Sequence, residues 1–599
     1  MNRQIKLILL LLLFSGISGT GCKKFLDQVP NDRITIEEVF RKKASSEQFL
    51  ANVYSIVPDE SNAIDGFPMI GCSDEADLTW SGGPNYAVNI GNLNPSNVNN
   101  LFDRWGYYYQ GIRSATYFMN HINENIEIRS LNGQALIDQY QAEARFLRAY
   151  YYFLLMRQYG PVVLMGEDVT PPDAEASAMQ IPRSSFDECV SYVASELDKA
   201  AEGLPLQPQS NGQVSDREFG RITKGICLAV KSRLLLYAAS PQYNGNTDAS
   251  SFKNQDGKAL IAQSYDAQKW KKAADAAKAV IDLGQYALYK DPSGNPMKSL
   301  DGVFFNSWNS EQIFVRKAND LARWDVHATP RQAGGWCGLA PTQENVDSYF
   351  MSDGLLPSES PLYSEIGFTT VNGVQVYNMY MNREPRFYHD VTYNNSIWQG
   401  GTMNAPAPVT FFLSGPNGRN GHPTDFSKTG YLIRKNVGPQ TNVGAGGNGQ
   451  VQSRVLILFR LGEIYLNYAE ALNEFQPGSA DVLTYLNAIR ERAGVPKYGS
   501  GTNSLPVPAD QAAMRAKIRA ERRVELAYEG HRFFDIRRWK IAPQVMGAMH
   551  GMDISKDGND FYKRVVTATP HLFRQSYYWW PITQYELDRN RTLVQSPSW

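Results

Sequence analysis

Between Tyr140 and Tyr159 the chain sets Ala142, Phe146, Ala149, Tyr150 and Phe153 at the roughly 3.6-residue spacing of one helical face, and Gly160-Pro161 then ends the run. The same mixture of small and aromatic residues returns from Ile222 to Ala239, stopped by Pro241. It returns again from Trp270 to Leu283, where Ala273, Ala274, Ala277 and Ile281 share a face and Gly284 stands at the C-cap position. Alanines beside aromatics let helices approach closely in pairs, small against large, as in tetratricopeptide repeats. The repeat consensus of about 34 residues is absent, so the pairs are repeat-like rather than a regular array.

From about Asp291 to Gln450 the periodicity fades into Gly, Asn, Pro and isolated aromatics, which reads as long loops with occasional short strands. Loops of that length inside a globular chain usually carry function. Helices then resume at Arg454 to Glu474, with Leu458, Leu461, Ile464, Tyr465 and Tyr468 on one stripe, at Leu483 to Ala493 and at Met514 to Glu529. The fold expected is mostly α, a scaffold of helix pairs with a large irregular region containing short strands.

The chain opens with Arg3 and Lys6, an apolar run Leu7 to Phe14, and mostly small residues leading to Cys22. That order is the anatomy of a secretory signal, too short to span a bilayer, which takes roughly 20 apolar residues. Gly19-Thr20-Gly21-Cys22 is similar to a lipobox, in which the cysteine thiol takes lipid after cleavage, although leucine is commoner where Gly19 stands. Lipid on Cys22 anchors an otherwise soluble domain to a membrane. An ordinary secreted chain with a chance cysteine is the plainer alternative. Cys72, Cys189, Cys227 and Cys337 have no metal spacing, and Cys189 and Cys227 fit buried helical positions.

A formal net charge of -1 over 599 residues removes bulk attraction to nucleic acid. Aromatic residues make up 12%, with Tyr 33 and Trp 11, more than a core alone calls for. Tyrosine and tryptophan pair a flat apolar face with a hydrogen-bonding edge, which suits sugar rings and protein interfaces alike.

Four strings carry a resemblance in their order along the chain: ARFLRAYYYFLLMRQYGPVVL, FRLGEIYLNYAEALNE, the block GHRFFDIRRW at Gly530 to Trp539, and the ending WPITQYELDRNRTLVQSPSW. With the start CKKFLDQVP they resemble the SusD/RagB family along nearly the whole chain. The resemblance implies four tetratricopeptide-like helix pairs and an irregular region that carries ligand contacts. It implies a lipid-anchored, cell-surface protein of an outer membrane that binds glycan, catalyses nothing and uses no cofactor. The family closes as a hinged lid over a SusC-like, TonB-dependent transporter, its partner. A peptide-binding lid of RagB type is the alternative, and a glycoside hydrolase ranks below both. The segments expected are residues 1–21 as signal, 22–290 helical, 291–450 irregular and 451–599 helical, with 22–599 packed as one unit.

The charged residues Glu521, Arg522, Arg523, Glu525, His531, Arg532 and Asp535 read as a helix-capping ion-pair network rather than an active site. Asp74, Glu75 and Asp77 form the best acidic cluster, but a glycosidase needs two carboxyls about 5 to 9.5 Å apart, a distance that 60 acidic residues satisfy by chance somewhere. Asn244-Gly245-Asn246-Thr247-Asp248 lacks the glycine and terminal glutamate of a calcium loop and reads as a solvated turn. No metal is expected.

Tryptophans in loop contexts are the candidates for ligand contact, because no helical stripe buries them. Trp80 and Tyr86 flank Ser81-Gly82-Gly83-Pro84, and Trp308, Trp324, Trp336 and Trp398 stand among polar and glycine neighbours. A pyranose face stacks on such rings, while Asn85, Asn89, Arg323, Asp325 and Gln332 are placed to bond hydroxyls. Each single tryptophan could equally anchor a loop or fill the core, Trp308 most of all. What the family implies about placement favours Trp80, Trp324 and Trp336. Trp105, Trp270, Trp539, Trp579 and Trp580 fall in scaffold strings and are assigned to the core.

Overall fold

A computed structural model describes residues 36–64, 69–98, 102–171, 173–210, 212–398, 407–444, 449–499 and 501–599. The signal and Cys22 lie outside the described residues. The architecture is mostly helical. Helices Trp105–His121, Gln134–Tyr159, Phe186–Glu202, Lys224–Ala239 and Gln268–Asp282 pack each against the next. The last of these packs on Leu461–Phe475, which in turn meets Ala480–Ala493 and Gln511–Glu525. These eight helices form the scaffold, and Gln268–Asp282 meets Leu461–Phe475 only after the chain has passed through the irregular region.

Small residues set the spacing. Gly111 of the first helix faces Tyr151, where a methyl group would lie 2.7 Å from the ring. Helix Phe186–Glu202 starts with a full capping box, Ser185 accepting from Glu188 N while Glu188 accepts from Ser185 N. Gly284 adopts φ +62 after the third amphipathic helix, as its capping position requires.

Strand pairs tie the irregular region to the rest of the chain and to itself. Gln312–Arg316 pairs antiparallel with Leu456–Arg460, Ala76–Leu78 with Leu339–Pro341, and Val391–Thr392 with Leu432–Ile433. The first pairing corrects the helix expected from Arg454. The apolar run 455–459 fits either period, and a strand partner decides it, so the helix begins only at Leu461. Leu458 therefore belongs to a strand and not to the helical stripe.

The charged block is buried and reaches further than a helix cap. Glu525 accepts from Arg460 (2.7 Å), Arg386 (3.1 Å) and Arg492, while Glu311 binds both Arg460 (2.8 Å) and Arg492 (3.0 Å). Burial pushes the Glu525 carboxyl up, but Arg492, Arg460 and Arg386 outweigh it and hold it well below the carboxylate range. These residues come from five separate segments, so the network clamps the irregular region to the last helices.

The Asn244–Asp248 turn also departs from the solvated turn expected. Asn244 and Asn246 are buried, and Lys540 Nζ donates to Asn246 Oδ1 (2.7 Å) and bonds Asp248. A lysine ammonium thus sits among the oxygens that a cation would need. Cys72, Cys189, Cys227 and Cys337 are free and buried, with thiols that burial pushes up to about 12 or beyond.

Candidate functional site

The strand pair Ala76–Leu78 and Leu339–Pro341 brings two of the candidate tryptophans together. Thr79 N donates to Gly338 O (3.2 Å), and the Thr79 hydroxyl reaches the carbonyls of Cys337 (2.7 Å) and Phe426 (3.0 Å). On the other side, Trp336 N donates to Val326 O (2.8 Å) and Gly338 N to His327 O (2.6 Å), which pins the turn to helix Leu321–Ala328. Trp80 then meets Trp336 edge to face at 6.4 Å, with His327 against both rings at 4.9 and 5.2 Å. Gly338 makes this possible, since a methyl group there would lie 2.5 Å from the Trp80 ring.

Both indoles are half-buried, so each keeps part of its surface open. Trp80 Nε1 donates to Asp425 Oδ1 (3.2 Å), Arg331 lies 3.6 Å from the same carboxylate, and the exposed Arg323 guanidinium stands 6.0 Å from the Trp336 ring. Aromatic faces with polar groups at their margin are what a sugar or an amphipathic peptide needs.

The other candidates go elsewhere. Trp324 is a core residue, 6% exposed on a helix rather than a loop, with Nε1 donating to Lys435 O (3.0 Å). That corrects its place on an open platform: its helix turns the indole inward. Trp398 is 4% exposed and also buried, for it lies beside the bridge Ile397 to Pro408 that folds the segment inward. Trp308 is half-buried and stacks on Phe219 at 5.0 Å, an anchoring contact apart from the Trp80 and Trp336 pair.

Tyr86 is half-buried on the short helix Pro84–Asn89, whereas Asn85 is 2% exposed, below the surface. Asn89 is equally buried and donates to Gly71 O (2.7 Å). Asp325 holds Arg454 (2.6 Å) inside the core, and Gln332 spends its amide on Pro408 O (3.0 Å). Trp105, Trp270, Trp539, Trp579 and Trp580 are all buried as expected.

Sequence reading missed His327, Arg331 and Asp425. His327 sits in an eight-residue helix too short to show a period, and Asp425 is 345 residues from its indole partner. Contacts at that separation leave no local signal.

In the acidic cluster Asp74 and Glu75 make structural contacts, whereas the oxygens of the buried Asp77 have no hydrogen-bond partner. Asp74 binds Arg532 (2.7 Å) and Arg523 (2.9 Å), and Glu75 accepts from Tyr528 N (2.9 Å). Burial pushes the Glu75 carboxyl up to about 7. Among the described residues no group of three or more His, Cys, Asp or Glu is placed to hold a metal, and no helix is long and apolar enough to cross a membrane.

Comparison with known proteins agrees with this architecture. The model of the SusD family matches residues 291–599, and a second, described as starch-binding associating with outer membrane, matches residues 24–236. SusD-like protein P25 of Formosa agariphila is 22% identical over 574 residues, 91% of this chain and 92% of that protein. SusD-like protein P2 of the same organism is 38% identical over 107 residues, but the match spans only 20% of its length and 17% of this chain. Among solved structures, BT4246 superposes with a TM-score of 0.80 at 26% identity, covering 93% of this chain and 99% of that one. A SusD-like protein of Bacteroides fragilis gives 0.74 at 25% identity, covering 96% and 100%. The fold and the matched C-terminal half agree, and the chain belongs to the SusD family.

Proposed function

We propose that the protein is a cell-surface lipoprotein that captures oligosaccharide or polysaccharide on the Trp80 and Trp336 pair. It delivers the glycan to a SusC-like, TonB-dependent outer-membrane transporter, over which it acts as a lid. The observation that carries the reading is the pair itself: two half-open indoles, fixed edge to face by His327 and a strand pairing, with Arg323 and Asp425 at the margin. A rigid apolar platform with polar neighbours loses little entropy when a pyranose stacks on it. Lipid on Cys22 would hold the protein at the membrane. A carbohydrate-binding role is in keeping with a SusD-like carbohydrate-binding protein of Bacteroides fragilis among the solved relatives, although at 23% identity that likeness bears on the fold.

Binding without turnover is the activity expected. The test is a glycan and peptide screen with the purified protein, followed by titration of Trp80→Ala and Trp336→Ala. Each variant should lose about 1 to 3 kcal/mol of affinity while melting near the parent temperature. A glycan bound as tightly by both variants as by the parent would remove the platform reading. Peptides bound in place of any glycan would favour the RagB-type alternative.

A further inference from the structure

A second cavity, of 490 Å³, lies away from the tryptophan pair, between the scaffold helices and the loop that follows Ala239. It is lined by Asn244, Tyr265, Trp270, Glu474, Arg515 and Arg519, and its size is within the usual range for small-ligand sites. One carboxylate, Glu474, lines it and a second, Glu470, is buried nearby, and each already holds an arginine at two points. Glu474 takes the fork of Arg515, and Glu470 takes Arg538 at 2.6 and 2.7 Å with Trp539 Nε1 on the same carboxylate.

Arg519 is left over. Its guanidinium lies over the Trp539 ring at 4.6 Å, its Nε is buried without a hydrogen-bond partner, and no carboxylate pairs with it among the described residues. Burial lowers its pKa, and the Glu470 and Glu474 carboxylates, which raise it, do not outweigh burial together with the Arg538 and Arg515 charges. A guanidinium beside an indole keeps N–H groups that bond planar oxyanions at two points, and Arg519 lines the cavity.

Tyr265, 61% exposed, lines the same cavity. Its segment is nevertheless fixed, because Asn244 Nδ2 donates to Asp266 O (2.9 Å) and Asn244 Oδ1 accepts from Asp266 N (2.8 Å). A Cβ on Gly245, which has φ +76, would lie 3.0 Å from Tyr265 N, so glycine is needed for the turn to pass this close. An open aromatic ring on a braced turn and the Arg519 guanidinium thus line one cavity.

We propose that this cavity is a second saccharide site, selective for an anionic sugar residue, with Arg519 binding the carboxylate or sulfate and Tyr265 stacking on the ring. Methyl glucuronide, methyl glucoside 6-sulfate and methyl glucoside, titrated against the purified protein by ligand-observed NMR, test it. One or both anionic sugars should bind about tenfold more tightly than the neutral one, and comparing the two separates carboxylate from sulfate. Arg519→Gln should erase that preference, and the Trp80→Ala, Trp336→Ala double variant should keep it, so this site and the platform stand or fall separately. Should Arg519→Gln melt far below the parent, Tyr265→Ala at an exposed position replaces it and should weaken all three sugars. Equal affinity for charged and neutral sugars, a preference that survives Arg519→Gln, or binding left unchanged by Tyr265→Ala would each overturn the proposal.

Discussion

Trp324 and Trp80 look alike in sequence, each an indole among polar neighbours, yet they have opposite physical roles. Trp324 lies on a helix face turned inward, and its one polar atom is satisfied by Lys435 O, so truncation opens a cavity. Trp324→Ala should cost roughly 3 to 5 kcal/mol of stability, read as a large fall in melting temperature. Trp80 is only half-buried, so its alanine variant should unfold close to the parent. If Trp324→Ala melted like the parent and bound glycan more weakly, the indole would have to be open to ligand and its core assignment would be wrong. Gly338→Ala belongs at the same scale: the added methyl has to displace the Trp80 ring, and glycan affinity should drop although no ligand contact is removed.

At the scale of elements, what could be read from sequence depended on whether the partner was near or far. Helices such as Gln134–Tyr159 and Gln268–Asp282 were legible because their apolar faces repeat locally and glycine or proline marks their ends. The strand Leu456–Arg460 was not, because its identity depends on pairing with Gln312–Arg316, far away along the chain. The candidate site follows the same rule. Trp80 and Trp336 were visible as tryptophans outside helical stripes, but their meeting depends on the register Leu78 to Leu339, which no local pattern encodes. Trp324 was misread because an eight-residue helix is too short to show a period inside a glycine-rich region.

The ion network carries a prediction at this scale. Glu525 receives Arg386, Arg460 and Arg492 in the interior, so Glu525→Ala leaves three buried guanidiniums short of a counter-charge. Breaking one side of a buried ion cluster costs about 3 to 5 kcal/mol. Chemical denaturation should show that loss in the transition midpoint, and a variant within about 0.5 kcal/mol of the parent would mean the arginines find other partners.

Over the whole molecule, buried carboxyls shifted in opposite directions shape stability against pH. Burial pushes Glu470 up, but Arg538 and Arg522 outweigh it and hold the carboxyl at about 2, below its ordinary value. Its ionised form is therefore favoured by folding: the stabilisation is fully present above the ordinary carboxylate range and is lost as pH falls toward 2. Glu525 acts in the same sense. Glu75 acts in the opposite sense. Its carboxyl is raised to about 7, so the folded chain holds a proton that the unfolded chain releases at the ordinary value near 4.5, and stability falls as pH rises between the two. The Glu75 contribution makes melting temperature decline between about pH 5 and 7, opposed by His531, which burial holds well below its ordinary value, while the Glu470 and Glu525 contributions give an acid limb below pH 5. Glu75→Gln keeps an oxygen for Tyr528 N and cannot ionise, so it should flatten the decline between pH 5 and 7 and leave the acid limb in place. Melting curves of parent and variant from pH 3 to 8 check this, and an unchanged neutral limb in Glu75→Gln would assign that slope to another group.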